Sequence, residues 1–199
     1  MTRHKQEATH RASTSPWVIN TRELGRRPGN MRKYQRTVPA PPGFGLEVIG
    51  IPQGAPIELD LRLESATEGV FVSGSAHAEL VGECSRCLEP ITDEVTAQLG
   101  ELFAYPDSAT VATTEYDEVS RVVDDLIDTE QMVRDAILLG LPLAPLCQED
   151  CPGLCPDCGE RWAELGPQHT HETLDPRWAA LQGRLASSAD SEADAEERR

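Results

Sequence analysis

The sequence predicts an α+β protein that is mainly antiparallel sheet, with a covering helix and a cysteine-rich C-terminal segment. Residues 57–63 alternate apolar and polar side chains, as a strand with one solvated face does. Residues 70–81 and 91–103 are also strand-like, and too few residues separate these segments for a crossover helix, so we expect antiparallel neighbours. Residues 132–139 then carry apolar side chains at helical spacing.

The ends of the helix are marked by the residues that begin and stop helices. Asp128 is the predicted N-cap, with Gln131 three residues later as in a capping box, and Gly140 and Pro142 end the helix. A second short helix is predicted to begin with Asp175 as its cap.

The N-terminal half is less regular. Residues 17–19 form a short apolar patch suited to an edge strand, and residues 26–29, Arg-Arg-Pro-Gly, predict a turn. Residues 38–56 are rich in proline and glycine and are expected to be extended or looped. Residues 105–120 read as a polar loop.

Six cysteines carry the strongest chemical signal in the chain. They are Cys84, Cys87, Cys147, Cys151, Cys155 and Cys158. Two CxxC pairs far apart in the sequence are typical of a tetrahedral thiolate site for zinc. A disulfide framework would need an oxidising compartment, but the N-terminus lacks the apolar core of a signal peptide and no apolar run is long enough to cross a membrane. We therefore expect a cytoplasmic protein with reduced thiols and no membrane partner.

The spacing leaves open which four sulfurs bind the metal. We expect one structural Zn²⁺ ion on Cys84 and Cys87 plus two of the later four cysteines. The segment Cys155-Pro-Asp-Cys158-Gly resembles the knuckle of zinc ribbons. A second possibility is the pair whose members would lie on one face of a helical turn, Cys147 and Cys151.

The remaining two thiols would be neighbours of the site or exchangeable ligands. If their oxidation expelled the zinc, the protein would be a thiol redox switch, which is one alternative function. His169 and His171 follow the cysteines closely, and because thiols are plentiful they are expected to be solvated loop residues.

No motif predicts an enzyme. His77-Ala-Glu79 before Cys84-x-x-Cys87 is similar to the zinc deaminase motifs, but no proline precedes Cys84, and period two puts His77 and Glu79 on one face of a strand. The sequence contains no P-loop, GxGxxG, GxSxG or HExxH motif. We expect neither catalysis nor a small-molecule substrate.

Charge divides the chain into segments. The 199 residues carry a formal net charge of −16, but within residues 1–36 Lys and Arg clearly outnumber Asp and Glu. We therefore expect a basic, partly disordered N-terminal arm over residues 1–36, a single zinc-clipped α+β domain over 37–185, and a disordered acidic tail over 186–199.

Several segments together resemble the YceD family, the large ribosomal RNA subunit accumulation proteins. The similar segments are Gly-Val-Phe-Val-Ser-Gly before Cys84-Ser-Arg-Cys87-Leu-Glu, then Leu-Pro-Leu-Ala-Pro-Leu-Cys147, Cys151-Pro-Gly-Leu-Cys155-Pro-Asp-Cys158-Gly and Asp-Pro-Arg-Trp178. The likeness extends over about residues 17–185, and residues 24–29 are similar to the basic segment of actinobacterial members.

The resemblance implies a bacterial cytosolic factor needed for accumulation of large-subunit (23S) ribosomal RNA, acting in its synthesis, processing or early assembly. Its partner would be ribosomal RNA or a large-subunit assembly intermediate. Some members lack the pair Cys155 and Cys158, which favours Cys147 and Cys151 as the partners of the first CxxC.

An acidic body repels phosphate, so direct RNA contact is expected through the basic segment. The candidate RNA-binding residues are Arg22, Arg26, Arg27, Arg32, Lys33 and Arg36. Trp17 or Tyr34 would stack on an unpaired base. The runner-up is an adaptor whose acidic body binds a basic ribosomal protein.

Overall fold

The computed structural model describes residues 15–115 and 118–171. The chain divides into two compact units, the first ending at Cys151 and the second beginning at Pro152. The predicted disorder at both termini and the predicted helix at Asp175 lie outside the described residues. Within the described part of the chain, no helix has both the length and the apolar character needed to cross a membrane.

The first unit contains seven described strands and two helices. These are β1 (Val18–Asn20), β2 (Met31–Pro39), β3 (Ile49–Gly50), β4 (Pro56–Ser65), β5 (Gly69–Glu83), β6 (Pro90–Ala104), α1 (Ala109–Thr113), β7 (Leu126–Asp128) and α2 (Glu130–Gly140). The prediction of a mainly antiparallel sheet with a covering helix is confirmed. The polar loop expected after β6 contains the short helix α1.

The main sheet is a meander of β4, β5 and β6, with β2 added beside β4. β3 pairs with the end of β5 beyond β4, where Ile49 lies opposite Gly82. All of these pairings are antiparallel. β5 and β6 stay paired from Gly69 to Glu83, so the loop that joins them projects at the far end of a long hairpin.

One face of this sheet forms the core. On β4 every second residue from Ile57 to Leu63 is buried, while the intervening residues are exposed, as the period-two pattern predicts. The matching face of β5 is built from small and β-branched residues such as Val72, Ala76 and Ala78. These leave room for the larger side chains that pack over them.

Helix α2 covers this face beside β6. Its buried side chains are Met132, Val133 and Ile137, in one cluster with the apolar residues of the sheet. The predicted end at Gly140 is confirmed, but Leu139, assigned to the apolar face, is 88% exposed. The N-cap is Thr129, one residue later than predicted, and Asp128 still accepts a hydrogen bond from the Glu130 N–H.

The basic segment near the N-terminus is expected from its charge to be a partly disordered arm, but its described part is folded against the rest of the first unit. Trp17 is 3% exposed and its ring stacks on Phe44 at 5.8 Å, so it is part of the core and not a platform for a base. β1 pairs with β7, and the buried Thr129 hydroxyl donates to the Trp17 carbonyl oxygen. Residues 17–36 therefore belong to the folded unit, because apolar contacts and strand pairing retain them despite their charge.

A substitution at Gly74 tests the register in which β4 pairs with β5. The φ of Gly74 is +149°, and a Cβ there would lie 2.0 Å from the Asp60 carbonyl oxygen. Gly74→Ala is expected to lower the free energy of unfolding by at least about 2 kcal/mol, since backbone must move to admit the methyl group. Urea denaturation measures the change.

Gly100 on the next strand is the matched control, because a Cβ there meets only the Phe71 ring at 3.9 Å. Gly100→Ala should change stability by less than about 1 kcal/mol. Equal effects of the two substitutions would contradict the register.

Candidate metal centre

The first CxxC lies in the loop that joins β5 and β6. The Cys84 N–H donates to the Glu89 carbonyl oxygen at 2.8 Å, and the Leu88 N–H donates to the Cys84 carbonyl oxygen at 2.9 Å. Leu88 has a φ of +61°, a left-handed conformation that is unusual for a residue with a side chain. These bonds curl the loop so that Cys84 and Cys87 are both buried.

The second pair of sulfurs arrives from the segment after α2. The helix ends at Gly140, and the segment that follows returns to the β5–β6 loop, where the Ser85 backbone N–H donates to the Pro145 carbonyl oxygen at 2.8 Å. The Arg86 guanidinium donates to the Cys151 carbonyl oxygen at 3.0 Å. The packing of α2 against the sheet thus decides where Cys147 and Cys151 meet the first pair.

Four sulfurs converge in this way. The Cys84 and Cys151 Sγ atoms are 3.7 Å apart, those of Cys87 and Cys147 are 3.6 Å apart, and all four lie within 4.8 Å of one another. A disulfide would bring two sulfurs to about 2.05 Å. Tetrahedral zinc with Zn–S bonds of about 2.3 Å places its sulfurs about 3.8 Å apart, which the observed separations match.

The thiols strongly affect one another. Burial raises the pKa of Cys84, but the backbone N–H groups of Cys147, Arg86 and Cys87 together outweigh it and lower this pKa to about 6. The Cys147 pKa rises to about 12, chiefly because of the neighbouring Cys151 thiol. Burial is the main cause that raises the pKa of Cys87.

Without a cation, the cluster therefore cannot hold four thiolates at neutral pH. A divalent metal that prefers sulfur supplies the charge that makes full deprotonation favourable. Four protein ligands would complete a tetrahedral shell, which leaves no open position for substrate or water. The donor set thus fits a metal that stabilises the fold.

The other two predicted ligands lie elsewhere. Cys155 is buried and Cys158 is exposed, both in the second unit, and their neighbours are His169 and His171. The side-chain donor atoms of these four residues also lie within 4.8 Å of one another. His171 is exposed, as expected of a loop residue, but the structure also places the imidazole nitrogens of both histidines beside the two sulfurs. Their His-x-His spacing does not match the usual sequence patterns of zinc sites, so no signal in the sequence marks this arrangement.

A family model for the large ribosomal RNA subunit accumulation protein YceD matches residues 72–183. The chain belongs to the YceD family. The matched segment of this YceD-family chain begins in β5 and includes both groups of potential ligands. The resemblance inferred from the cysteine-containing segments is thereby confirmed.

Curated relatives are similar over nearly the whole chain. An uncharacterized protein of Mycobacterium tuberculosis is 51% identical over 191 residues, which is 96% of this chain and 92% of the relative. One from Mycobacterium leprae is 48% identical over 94% of this chain and 85% of its own length. The uncharacterized protein YlbN of Bacillus subtilis is 28% identical over 69% of this chain and 78% of its own length. No solved structure matches.

The candidate RNA-binding residues of this YceD-family chain do not form one surface. Arg32 and Arg36 lie on the core side of the edge strand β2, whereas alternation places Lys33 on the opposite side, beside Arg62. Arg26 lies over the Tyr105 ring and pairs with Asp107 at 3.1 Å. Arg27 contributes to the predicted turn, where its carbonyl oxygen accepts from the Asn30 N–H.

Three of the candidate arginines share one cleft. Arg22, Arg32 and Arg36 line a space of about 440 Å³ beside β2, together with the partly buried Tyr34. Arg22 pairs with Asp125 at 3.3 Å, and Arg32 pairs with Glu23. Arg36 instead donates to the Pro16 carbonyl oxygen and the Tyr34 hydroxyl, and has no carboxylate partner among the described residues.

Proposed function

We propose that this chain is a non-enzymatic cytoplasmic factor that supports the accumulation of 23S ribosomal RNA by binding that RNA or an assembly intermediate containing it. The family match carries this proposal, since the family is that of the large ribosomal RNA subunit accumulation protein YceD. In this proposal the factor acts during the synthesis of the 23S RNA, during its processing or during early assembly of the large subunit.

In this proposal the metal of the first unit is Zn²⁺, bound by Cys84, Cys87, Cys147 and Cys151. The support is the all-sulfur donor set and the separations of 3.7 and 3.6 Å, because soft thiolates in a tetrahedral arrangement favour zinc over the hard cations magnesium and calcium. The ion is structural, and it joins the β5–β6 hairpin to the segment that follows α2.

The proposed RNA contact is the cleft beside β2. The support is the excess of three arginines over the one carboxylate among the described residues that line the cleft, Glu23. Further support is the ring of Tyr34, which lies on the same side of β2 as Arg32 and Arg36. Arg36 is the central residue, because its guanidinium would meet a phosphate without first leaving a carboxylate. A single-stranded segment suits such a cleft better than a duplex.

The test is a substitution at Arg36, with oligoribonucleotides that tile 23S ribosomal RNA as the probe. Arg36→Ala is expected to weaken binding of the tightest fragment roughly tenfold, the effect of losing one charge-assisted contact. The slope of log affinity against log salt should fall by about one. Fluorescence anisotropy at several salt concentrations measures both.

Arg62→Ala is the matched control, since Arg62 lies on the other side of the sheet and pairs with Glu64. It should leave affinity nearly unchanged. Equal losses from the two variants would reject the cleft. A truncation that removes residues 1–36 would not be a clean test of RNA binding, because it would also remove β1 and most of β2.

A second candidate is an adaptor for a basic ribosomal protein. The outer face of the main sheet favours it, because exposed carboxylates recur there on three neighbouring strands: Glu58, Asp60, Glu79 and Glu94. Crosslinking in cells, followed by sequencing of bound RNA and mass spectrometry of bound protein, separates the two. Recovery of a ribosomal protein without crosslinked RNA would favour the adaptor.

A further inference from the structure

The second unit contains two thiols and two imidazoles that the four-sulfur cluster does not use. The Cys158 Sγ lies 3.7 Å from His169 Nε2, and the Nε2 atoms of His169 and His171 are 2.7 Å apart. Together with Cys155, all four donor atoms lie within 4.8 Å of one another. We propose that these four residues form a second Zn²⁺ site, of mixed sulfur and nitrogen ligation, independent of the first.

The loop that presents Cys155 and Cys158 repeats the geometry of the first CxxC. The Cys155 N–H donates to the Glu160 carbonyl oxygen at 2.7 Å, as the Cys84 N–H does to Glu89. The Gly159 N–H donates to the Cys155 carbonyl oxygen at 2.9 Å, the counterpart of the bond from Leu88 to Cys84.

The backbone after the second cysteine is also the same in both loops. Gly159 has a φ of +75° where Leu88 has +61°. Two loops of one chain, distant in sequence, thus fold in the same way around a pair of sulfurs.

The ligand separations fit zinc after a small adjustment. Bonds of about 2.3 Å to sulfur and about 2.0 Å to nitrogen place S and N about 3.5 Å apart and the two nitrogens about 3.3 Å apart. The observed separation of 3.7 Å between the Cys158 sulfur and His169 Nε2 is within about 0.2 Å of the first value. The two imidazoles would separate by about half an ångström, which small rotations about the side-chain bonds of exposed His171 provide.

The surroundings hold His169 in place. The backbone N–H of His169 donates to the Gly166 carbonyl oxygen at 2.9 Å. The Trp162 ring meets the His169 imidazole edge-on, with the ring centroids 5.5 Å apart. The His171 ring is also edge-on to it, at 4.4 Å. The turn and the indole therefore direct the first imidazole toward the thiols.

The described part of the second unit also has little else to hold it together. Among residues 152–171 only Gly153 and Cys155 are buried, and the regular pairing there is a single bridge between Leu154 and Arg161. Segments that cannot bury an apolar core commonly depend on a metal or on disulfides. A zinc ion would cross-link the knuckle to the histidine segment.

The two sites should differ in strength. Four thiolates leave a net charge of −2 on a zinc complex, whereas two thiolates and two neutral imidazoles leave none. Cys158 and His171 are exposed, while three of the four sulfurs at the first site are buried. We therefore expect chelators to remove the zinc of the mixed site first.

The test is the zinc content and ligand shell of the full-length protein purified without chelator. Elemental analysis should find two zinc ions per chain. X-ray absorption at the zinc edge should give an average of three sulfur and one nitrogen ligands per ion, because the groups are Cys84, Cys87, Cys147 and Cys151, and Cys155, Cys158, His169 and His171. One zinc per chain with a shell of sulfur alone would overturn the proposal.

Variants then assign the second ion. His169→Ala combined with His171→Ala should leave one zinc and a shell of four sulfurs. His77→Ala is the control, because that histidine bonds to Thr96 on the outer face of the sheet, and it should keep both ions. Two zinc ions retained in the double variant would equally reject the assignment. The X-ray absorption spectrum of the unmodified protein shows whether nitrogen ligates zinc even if a variant folds poorly.

Discussion

Replacing Cys84 with serine is expected to remove the zinc of the first unit and to lower the free energy of unfolding by at least about 3 kcal/mol. Zinc binding in small domains is worth on the order of 10 kcal/mol, and much of that energy holds the fold. Cys84 is fully buried, and its sulfur lies 3.7 Å from the Cys151 sulfur, so its loss opens the centre of the cluster. Denaturant unfolding and elemental analysis measure the two effects.

Ser85→Ala is the control for this loop, because Ser85 is exposed and its backbone N–H, not its side chain, contacts Pro145. Its stability and zinc content should equal those of the unmodified protein. A chelator should destabilise the unmodified protein to a similar extent and have a much smaller effect on Cys84→Ser. A Tm that chelation leaves unchanged would contradict a structural metal.

Replacing Ile137 with alanine is expected to cost about 2–5 kcal/mol, the range for deleting a large buried aliphatic side chain. Ile137 is fully buried, in the cluster that α2 forms with the sheet. Because this packing decides where Cys147 and Cys151 lie, the variant should also release zinc to a competing chelator more readily. Urea denaturation and a chelator competition assay measure these changes.

Leu139→Ala on the same helix is the matched control. Leu139 is 88% exposed, so its removal should change stability by no more than about 0.5 kcal/mol. Equal destabilisation by both variants would mean that a different face of α2 packs on the sheet.

Local patterns predicted most of the fold. Alternation identified β4, and the apolar stretches that followed identified β5, β6 and the helix over most of their lengths. The pattern misled at Leu139, since helical spacing shows which residues share a face but not how wide the covered part of that face is. Charge misled over residues 17–36, where it suggested an arm, whereas burial of Trp17, Ile19 and Leu24 and the strand pairing of β1 and β2 make the segment part of the folded unit.

The sequence likewise predicted only part of the candidate metal site. The CxxC spacing predicted sulfur ligation and the first pair, but it left four later cysteines as equivalent partners. The family resemblance favoured Cys147 and Cys151, and the path of the chain after α2 places their sulfurs in the first cluster and leaves Cys155 beside the histidines. The arginines are a parallel case, because strand alternation separates Lys33 from Arg36 although they are close in sequence.

By itself the sequence determined the spacing of apolar residues that marks strands and helices, the set of cysteines available as metal ligands, and the family. These depend on neighbouring residues or on short spacings, which the chain carries whether or not it is folded. The tertiary structure alone decided which sulfurs meet, which arginines share a cleft and which histidines approach the second knuckle. The sulfurs of the first cluster and the arginines of the cleft come from separate elements, and packing of those elements against the core of the first unit brings them together. In the second unit, turns of the chain bring the histidines to the knuckle.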